Sequence, residues 1–190
     1  KYPRNNKKDL SLLKKIKVDF VYIPNKRQVY SFKRKKKILL NKTDKILCAK
    51  YRKGHFEGVI DVMDRLTKLI KPNKIFMGEK DFQQIFLIKK YINKKYKNKI
   101  ITCKTIRDKN YLALSSRNKL LNKKDLLSAS KFVKKIRSLK NIRNKTNFEE
   151  KFNNKKKLLN EFSNIKIEYL ELRSKNDLSK TNRIKNSKIF

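Results

Sequence analysis

Histidine and cysteine are nearly missing from this sequence: His55 stands alone, and Cys48 and Cys103 are the two thiols among 190 residues. One imidazole and two widely separated cysteines exclude a zinc ribbon, a Cys-x-x-Cys redox pair and a disulfide framework. Both thiols lie in strand-like apolar contexts and are expected to be buried and reduced. Glycine is scarce as well, with three in the chain, and one of them, Gly78, falls where an apolar strand gives way to a helix. No apolar run approaches the roughly 20 residues of a membrane span. No signal peptide with an apolar stretch and a small-residue cleavage site is visible, and a cytoplasmic location is the expectation.

Acidic residues are the other shortage, with 16 Asp and Glu against 55 Lys and Arg and a formal charge of +39. Such an excess points first to nucleic acid or an anionic surface, because clustered cations release counterions from a phosphate backbone. The distribution argues against this. Lysine is spread over almost every segment together with Asn and Ile, rather than gathered on one helix face or interleaved with aromatics as a stacking platform. Lys, Asn and Ile share AT-rich codons, so the excess reads as mutational drift. A basic nucleic-acid-binding module is the alternative. An apolar fraction of 38% is low but sufficient for a core.

The pattern of apolar residues gives an order of elements. A short helix is expected at 9–16, a strand at 18–23 ended by Pro24, and a loop over 26–42 with a short strand near 29–32 and a charge run at 33–37. Another short strand is expected at 46–49. An amphipathic helix follows, with Phe56, Val59, Ile60, Met63, Leu66 and Ile70 inward and Asp61, Asp64, Arg65 and Lys68 away from that face. Then come a strand at 74–77, a helix at 81–95 and a strand at 100–105. This β-α-β order implies a parallel sheet with helices outside. Beyond a boundary near 105–111, helical patterns at 124–139 and 147–162 and a strand at 165–172 form a smaller α+β unit.

The stretch GEKDFQQ, residues 78–84, places polar side chains where an apolar strand turns into a helix. Ligands of α/β sheets bind at such carboxyl ends of strands. Lys80 beside the positive end of a helix dipole is unfavourable on its own, and a bound anion such as phosphate resolves the conflict. Asp81 and Gln84 also form a capping-box pattern. That pattern explains neither Lys80 nor Gln83, so a functional site is favoured over a pure cap. Ser115, Ser116 and Arg117 offer two hydroxyls and a guanidinium in three positions, a set able to close on phosphate oxygens, although Ser-Ser-Arg-Asn is also a common loop. Arg52 and His55 are possible further site residues, Arg52 as an anion ligand and His55 more often a structural hydrogen-bonding residue in such a place.

GEKDFQQ, with LALSSRN after it and GHFEGV before it at matching distances, resembles the pantothenate synthetase (pantoate–β-alanine ligase) family of coenzyme A biosynthesis. Tyr2-Pro3-Arg4, Asp9-Leu10, the 18–24 segment and Glu168-Tyr169-Leu170-Glu171 extend the likeness over most of the chain. The resemblance implies a Rossmann-like nucleotide-binding α/β fold with a parallel sheet, incomplete at the N-terminus, over residues 1–105. It implies a smaller C-terminal α+β lid domain over residues 106–190. It implies condensation of (R)-pantoate with β-alanine through a pantoyl adenylate, with ATP as substrate, Mg²⁺ accompanying it, AMP and pyrophosphate released, and a homodimer. On the matching positions, Gly78, Glu79, Lys80 and Asp81 contact ATP and Gln84 holds pantoate. Leu114, Ser115, Ser116 and Arg117 bind ATP phosphates, with Ile106 beside the adenine. Lys80, Ser115 and Arg117 are the expected catalytic residues, acting by electrostatic stabilisation.

The departures are equally specific. The family's His-x-Gly-His signature and first pantoate-binding glutamine have no counterpart here, and Asn110-Tyr111 stands where the family has Asp-Gly. The chain also starts at Lys1 without a methionine and stops at Phe190, short of the family's closing strand. The expectation is a fragment that is inactive alone, with a decayed, non-catalytic remnant as a further alternative.

Overall fold

The computed structural model describes residues 5–32, 37–93, 95–139, 148–159, 161–182 and 186–190. Tyr2-Pro3-Arg4, nearly all of the 33–37 charge run and the start of the 147–162 pattern lie outside the described residues. The chain divides into two compact units, Lys1–Lys104 and Thr105–Phe190.

In the first unit, helix α1 (Asn6–Lys15) is capped by Asn5, whose side chain accepts from the Lys8 amide at 3.0 Å. Helix α2 (Lys26–Val29) starts with a reciprocal Asn25–Gln28 capping box, and α3 (Cys48–Tyr51) is a single turn. Helix α4 (His55–Ile70) begins after Gly54, whose φ of +76° lies in the left-handed region open to glycine. At its far end Lys71 turns left-handed and its N–H bonds Thr67 O at 2.9 Å, after which Pro72 prevents continuation. Strand β1 (Lys74–Gly78) then leads through one short 3₁₀ turn into α5 (Phe82–Ile92), and strand β2 (Lys99–Cys103) returns parallel to β1, with Lys74 opposite Lys99 and Gly78 opposite Cys103. This is the mixed α/β, parallel-sheet class that the apolar pattern implies.

The core of this unit joins Phe56 and Ile60 of α4 to Ile85, Leu87, Ile88 and Ile92 of α5, Met77 and Ile100 of the sheet, and Leu40 and Ala49. Apolar faces at helical spacing make this packing possible, because the apolar side chains of one element meet those of the next rather than water. Two carboxylates are buried with it. Asp44 accepts from Lys90 Nζ at 2.7 and 2.8 Å and from the Tyr91 hydroxyl at 3.0 Å. Asp64 accepts from Lys95 Nζ at 2.8 and 3.1 Å, while the Tyr96 hydroxyl donates to its backbone carbonyl.

Several expectations from the sequence are corrected here. Residues 18–23 form no strand: Val18, Phe20, Val21, Tyr22 and Ile23 are exposed, Phe20 by 91%. A strand needs a hydrogen-bonding neighbour, and this segment has none among the described residues. The short strands expected near 29–32 and 46–49 give way to α2 and α3, where local caps and turns satisfy the backbone instead. Asp64 and Arg65 are buried rather than turned away. The Arg65 guanidinium contacts the rings of Tyr30 and Phe32, 4.6 and 4.8 Å from their centroids, and donates to Phe32 O and Asp61. Ile70, expected inward, is exposed at the end of α4. Cys103 is exposed and Cys48 only partly covered, so neither thiol is buried as expected.

The second unit opens with a tight hairpin-like turn over 106–114 and a 3₁₀ helix (Ser116–Leu120), followed by α6 (Lys123–Ser138) and α7 (Phe148–Leu159). Strand β3 (Leu172–Ser174) pairs antiparallel with β4 (Ser187–Ile189). The strand expected at 165–172 therefore begins where the other ends, because pairing with β4 decides its position. Leu139, Phe152, Leu159, Leu170 and Leu172 form the core of this unit, with Phe132 and Phe162 meeting edge to face at its margin. Arg173 is buried, its guanidinium satisfied by Glu171 and the Leu178 carbonyl.

Candidate active site

At the carboxyl end of β1 the chain leaves the sheet through Gly78, which keeps an extended conformation with φ −73° and ψ 127°. Glycine is not needed there for backbone freedom. A Cβ built on it meets nothing within 4 Å, so the space above this residue is open. Glu79, Lys80 and Asp81 make one 3₁₀ turn, and Asp81 stands at the N-cap of α5 with no side-chain capping bond. The capping box expected between Asp81 and Gln84 is not formed, because the 3₁₀ turn gives Asp81 a φ of −98° and ψ of 57°, away from the extended geometry a capping residue uses. Lys80 and Asp81 are exposed and Gln84 is half-buried, and none of the three side chains is bonded to another described residue. The five polar positions of GEKDFQQ thus separate into different environments.

Gln83 is the residue that behaves otherwise. It is 5% exposed, and its Nε2 donates to the carbonyls of Ile46 at 2.7 Å and Asp44 at 3.5 Å. It pins the first turn of α5 to the segment that leads into α3, so its role is structural. Its Oε1 is buried without a partner among the described residues. The sequence signal was present: Gln83 lies four residues before Leu87, on the same inward face. The Asp44 contacts to Lys90 and Tyr91 had no such signal, since they join positions 46 and 47 residues apart.

Arg52 ends α3, and its carbonyl accepts from the His55 amide at 3.2 Å. Both side chains are exposed on this turn. The His55 ring lies 5.1 Å from that of Phe56, tilted by 56°. Phe56 is buried, so the contact anchors the start of α4 and leaves the imidazole edge in solvent.

Electrostatics near α5 follow the two buried carboxylates. Burial pushes the Tyr91 and Tyr96 hydroxyls above the ordinary phenol range, with the hydrogen bond to Asp44 or Asp64 acting in the same direction. The hydrogen bond to Asp64 raises Lys95, outweighing partial desolvation. These groups hold protons firmly: Tyr91 ties α5 to the turn that carries Asp44, and Lys95 and Tyr96 tie the segment after α5 to α4; they do not act as exchangeable acids near neutral pH.

In the second unit, the Leu114 amide donates to Ile106 O at 3.0 Å, and Arg107 bridges to Ala113. The turn between them is held by Asp108, whose Oδ1 accepts the amides of Asn110 at 2.8 Å and Leu112 at 2.9 Å. Tyr111 occupies the left-handed region, with φ +66°. This pairing brings Ile106 and Leu114 together as two exposed apolar side chains, 67% and 56% accessible. Ser115 follows in extended conformation, and its Oγ accepts from the Arg117 amide at 3.3 Å. Asn118 closes the loop by donating to Ala113 O at 3.0 Å. Ser116 Oγ is buried with no hydrogen-bond partner among the described residues, and Arg117 is exposed. The loop therefore offers an apolar pair, an unsatisfied hydroxyl and a guanidinium within a few residues of chain.

Comparison with known proteins adds an independent line. A family model described as pantoate-beta-alanine ligase matches residues 1–190. The pantothenate synthetase of Pseudothermotoga lettingae is 32% identical over 186 residues, covering 96% of this chain and 66% of that protein. A crystal structure of pantothenate synthetase from Thermus thermophilus superposes with a TM-score of 0.87 at 23% identity, covering 96% of this chain and 67% of that one, a likeness of fold. A structure of pantoate-beta-alanine ligase from Francisella tularensis, complexed with beta-gamma ATP and beta-alanine, gives a TM-score of 0.74 at 32% identity, covering 90% of this chain and 62% of that one. The chain spans 66% of the length of the Pseudothermotoga relative and 53% of a Legionella pneumophila one.

Proposed function

Because the chain belongs to the pantoate–β-alanine ligase family, we propose that it carries ATP- and pantoate-binding elements for AMP-forming synthesis of pantothenate. The observation that carries this reading is the Lys80 turn: a cation with no partner among the described residues stands at the N-terminal side of α5, at the carboxyl end of a parallel strand, with open space over Gly78. A phosphate there meets the Lys80 cation and the N-terminal end of α5 together.

In this reading pantoate's carboxylate oxygen attacks the α-phosphorus of ATP, the bond to pyrophosphate breaks, and pantoyl adenylate forms. The amine of β-alanine then attacks the acyl carbon, loses a proton and displaces AMP. Lys80 and Arg117 stabilise negative charge on the α-phosphate and the departing pyrophosphate. Ser115 exchanges its bond to the Arg117 amide for a phosphate oxygen, and Ser116 Oγ gains the acceptor it lacks. The exposed Ile106 and Leu114 give the adenine an apolar face. Gly78, Glu79 and Asp81 line the nucleotide side of the turn, and Gln84 contributes an amide suited to pantoate's hydroxyl and carboxylate. Arg52 and His55 are further anion-facing positions.

Assignment of residues 1–105 to nucleotide and pantoate binding and of 106–190 to a lid belongs to the same proposal, as do a homodimer and a cytoplasmic setting. No helix among the described residues is long and apolar enough to cross a membrane. The described residues offer no group of three or more His, Cys, Asp or Glu able to hold a metal, so Mg²⁺ is read as arriving on ATP.

The test is a pair of NMR titrations of the labelled chain. ATP is expected to shift amides at 78–81 and 114–117, and pantoate those around Gln84. Gln84→Ala should abolish the pantoate shifts and leave the ATP shifts in place. Shifts confined to other parts of the chain contradict the assignment.

A further inference from the structure

The turn that carries Leu114 to Arg117 contains a residue whose backbone is strained. Tyr111 has φ +66°, a region where a side chain bearing a Cβ is disfavoured. Such strain persists where surrounding groups over-determine the conformation. Asp108 Oδ1 holds the amides on both sides of Tyr111. Arg107 donates from a terminal guanidinium nitrogen to the Tyr111 carbonyl at 2.9 Å. The Tyr111 ring is covered by the guanidinium of Arg137, 4.5 Å from its centroid, and Arg137 sits in the last turn of α6. Three of these four contacts are local to the turn. Arg137 is the one that comes from a separate, regular element.

We propose that Arg137 is a positioning residue that acts through Tyr111: by stacking on its ring it holds the 106–114 turn, and with it the Leu114–Arg117 stretch, in the conformation that receives nucleotide phosphates. The inference rests on the phosphate-binding reading of that stretch. The sequence logic is specific to this chain. Glycine at position 111 adopts the left-handed conformation without strain and needs no support. Tyrosine needs support but supplies a flat ring, and arginine is the side chain whose planar cation matches it. The consequence is a dependence of the binding loop on α6 that a glycine-containing turn lacks.

The experiment is a double-mutant cycle on the full 190-residue chain, with Arg137→Ala, Tyr111→Gly and the double variant. Two quantities are read: hydrogen-exchange protection of the Asn110 and Leu112 amides, and affinity for ATP by NMR titration. A circular-dichroism melt confirms that each variant is folded. Arg137→Ala is expected to lower protection of both amides by roughly two- to fivefold, the size of an exposed cation–π contact, and to weaken ATP by up to the same factor. Adding Arg137→Ala to Tyr111→Gly is expected to change neither quantity. Arg137→Lys, which keeps the charge without the planar stack, should fall between wild type and Arg137→Ala. Unchanged protection in Arg137→Ala overturns the inference. So does an equal loss of ATP affinity in both backgrounds, which means that Arg137 meets the nucleotide directly. Coupled protection in a wild-type chain that shows no ATP shifts at 114–117 overturns the phosphate reading, and the positioning role falls with it.

Discussion

Replacing Lys90 by Met should destabilise this protein more than replacing its partner Asp44 by Asn. Asp44 is 5% exposed and receives both hydrogen bonds of the pair from Lys90 Nζ, plus one from Tyr91. Lys90→Met leaves that carboxylate buried with the Tyr91 hydroxyl alone. Removing one partner of a buried pair costs about 3–5 kcal/mol. Lys90 itself is 33% exposed, so water already screens part of the interaction, and a loss of about 2–4 kcal/mol is the expected value. Asp44→Asn keeps the shape and one acceptor for Lys90 or Tyr91. Lys90 can swing toward solvent, so the loss is about 1–2 kcal/mol. In the double variant no charge is left buried, and its loss should be smaller than the sum of the two by at least about 1 kcal/mol. Urea unfolding at fixed salt measures all four corners of the cycle. Additivity, or a larger loss for Asp44→Asn than for Lys90→Met, would refute the assignment of this pair as a buried charge lock. The lock matters for the site because Gln83 ties the Asp44 and Ile46 carbonyls to the first turn of α5.

Two solution predictions follow from the charges. Lys95, Tyr91 and Tyr96 all have folded-state pKa values raised above their ordinary ones. The unfolded chain therefore gives up these protons first, so the stability they contribute is fully present below about pH 10 and is lost as pH rises through the folded values; urea midpoints measured between about pH 9 and 11 in high salt, where repulsion among the lysines is screened, should fall, and a flat profile contradicts the hydrogen-bonded placement of these groups. The charge of +39 makes self-repulsion a general destabilising term, so the melting temperature should rise as salt is increased and the charges are screened. A melting temperature independent of ionic strength rejects that view of the surface.

The parts of the fold legible in the sequence are those whose signal is local and periodic. α4, α5 and α6 repeat apolar residues at helical spacing, and β1 and β2 are short apolar runs flanking α5, so the parallel β-α-β order could be read directly. The segment at 18–23 has the composition of a strand, but a strand is defined by its neighbour, and the sequence of one segment does not contain that information. Asp64 and Arg65 look like solvated residues on the outer face of α4. They are buried because Lys95, Tyr30 and Phe32 arrive from elsewhere in the chain. The candidate site shows the same division. Lys80 and Asp81 could be read as polar residues on an exposed turn, whereas the missing capping bond of Asp81 depends on the 3₁₀ geometry of residues 79–81. Asn110-Tyr111 was visible as an unusual pair, but its support by Arg137, 26 positions from Tyr111, was not.

The central claim is that the exposed cations of the two polar stretches receive ATP phosphates. Isothermal titration of the chain with Mg²⁺-ATP, beside Lys80→Ala and Arg117→Ala, tests it most directly. Hydrogen bonds to charged groups contribute about 1.5–3 kcal/mol, so each variant should bind roughly ten- to a hundredfold more weakly. Both residues are exposed, so melting temperatures should move little. Unchanged ATP affinity in both variants, or wild-type binding that persists when both cations are removed, would contradict the account.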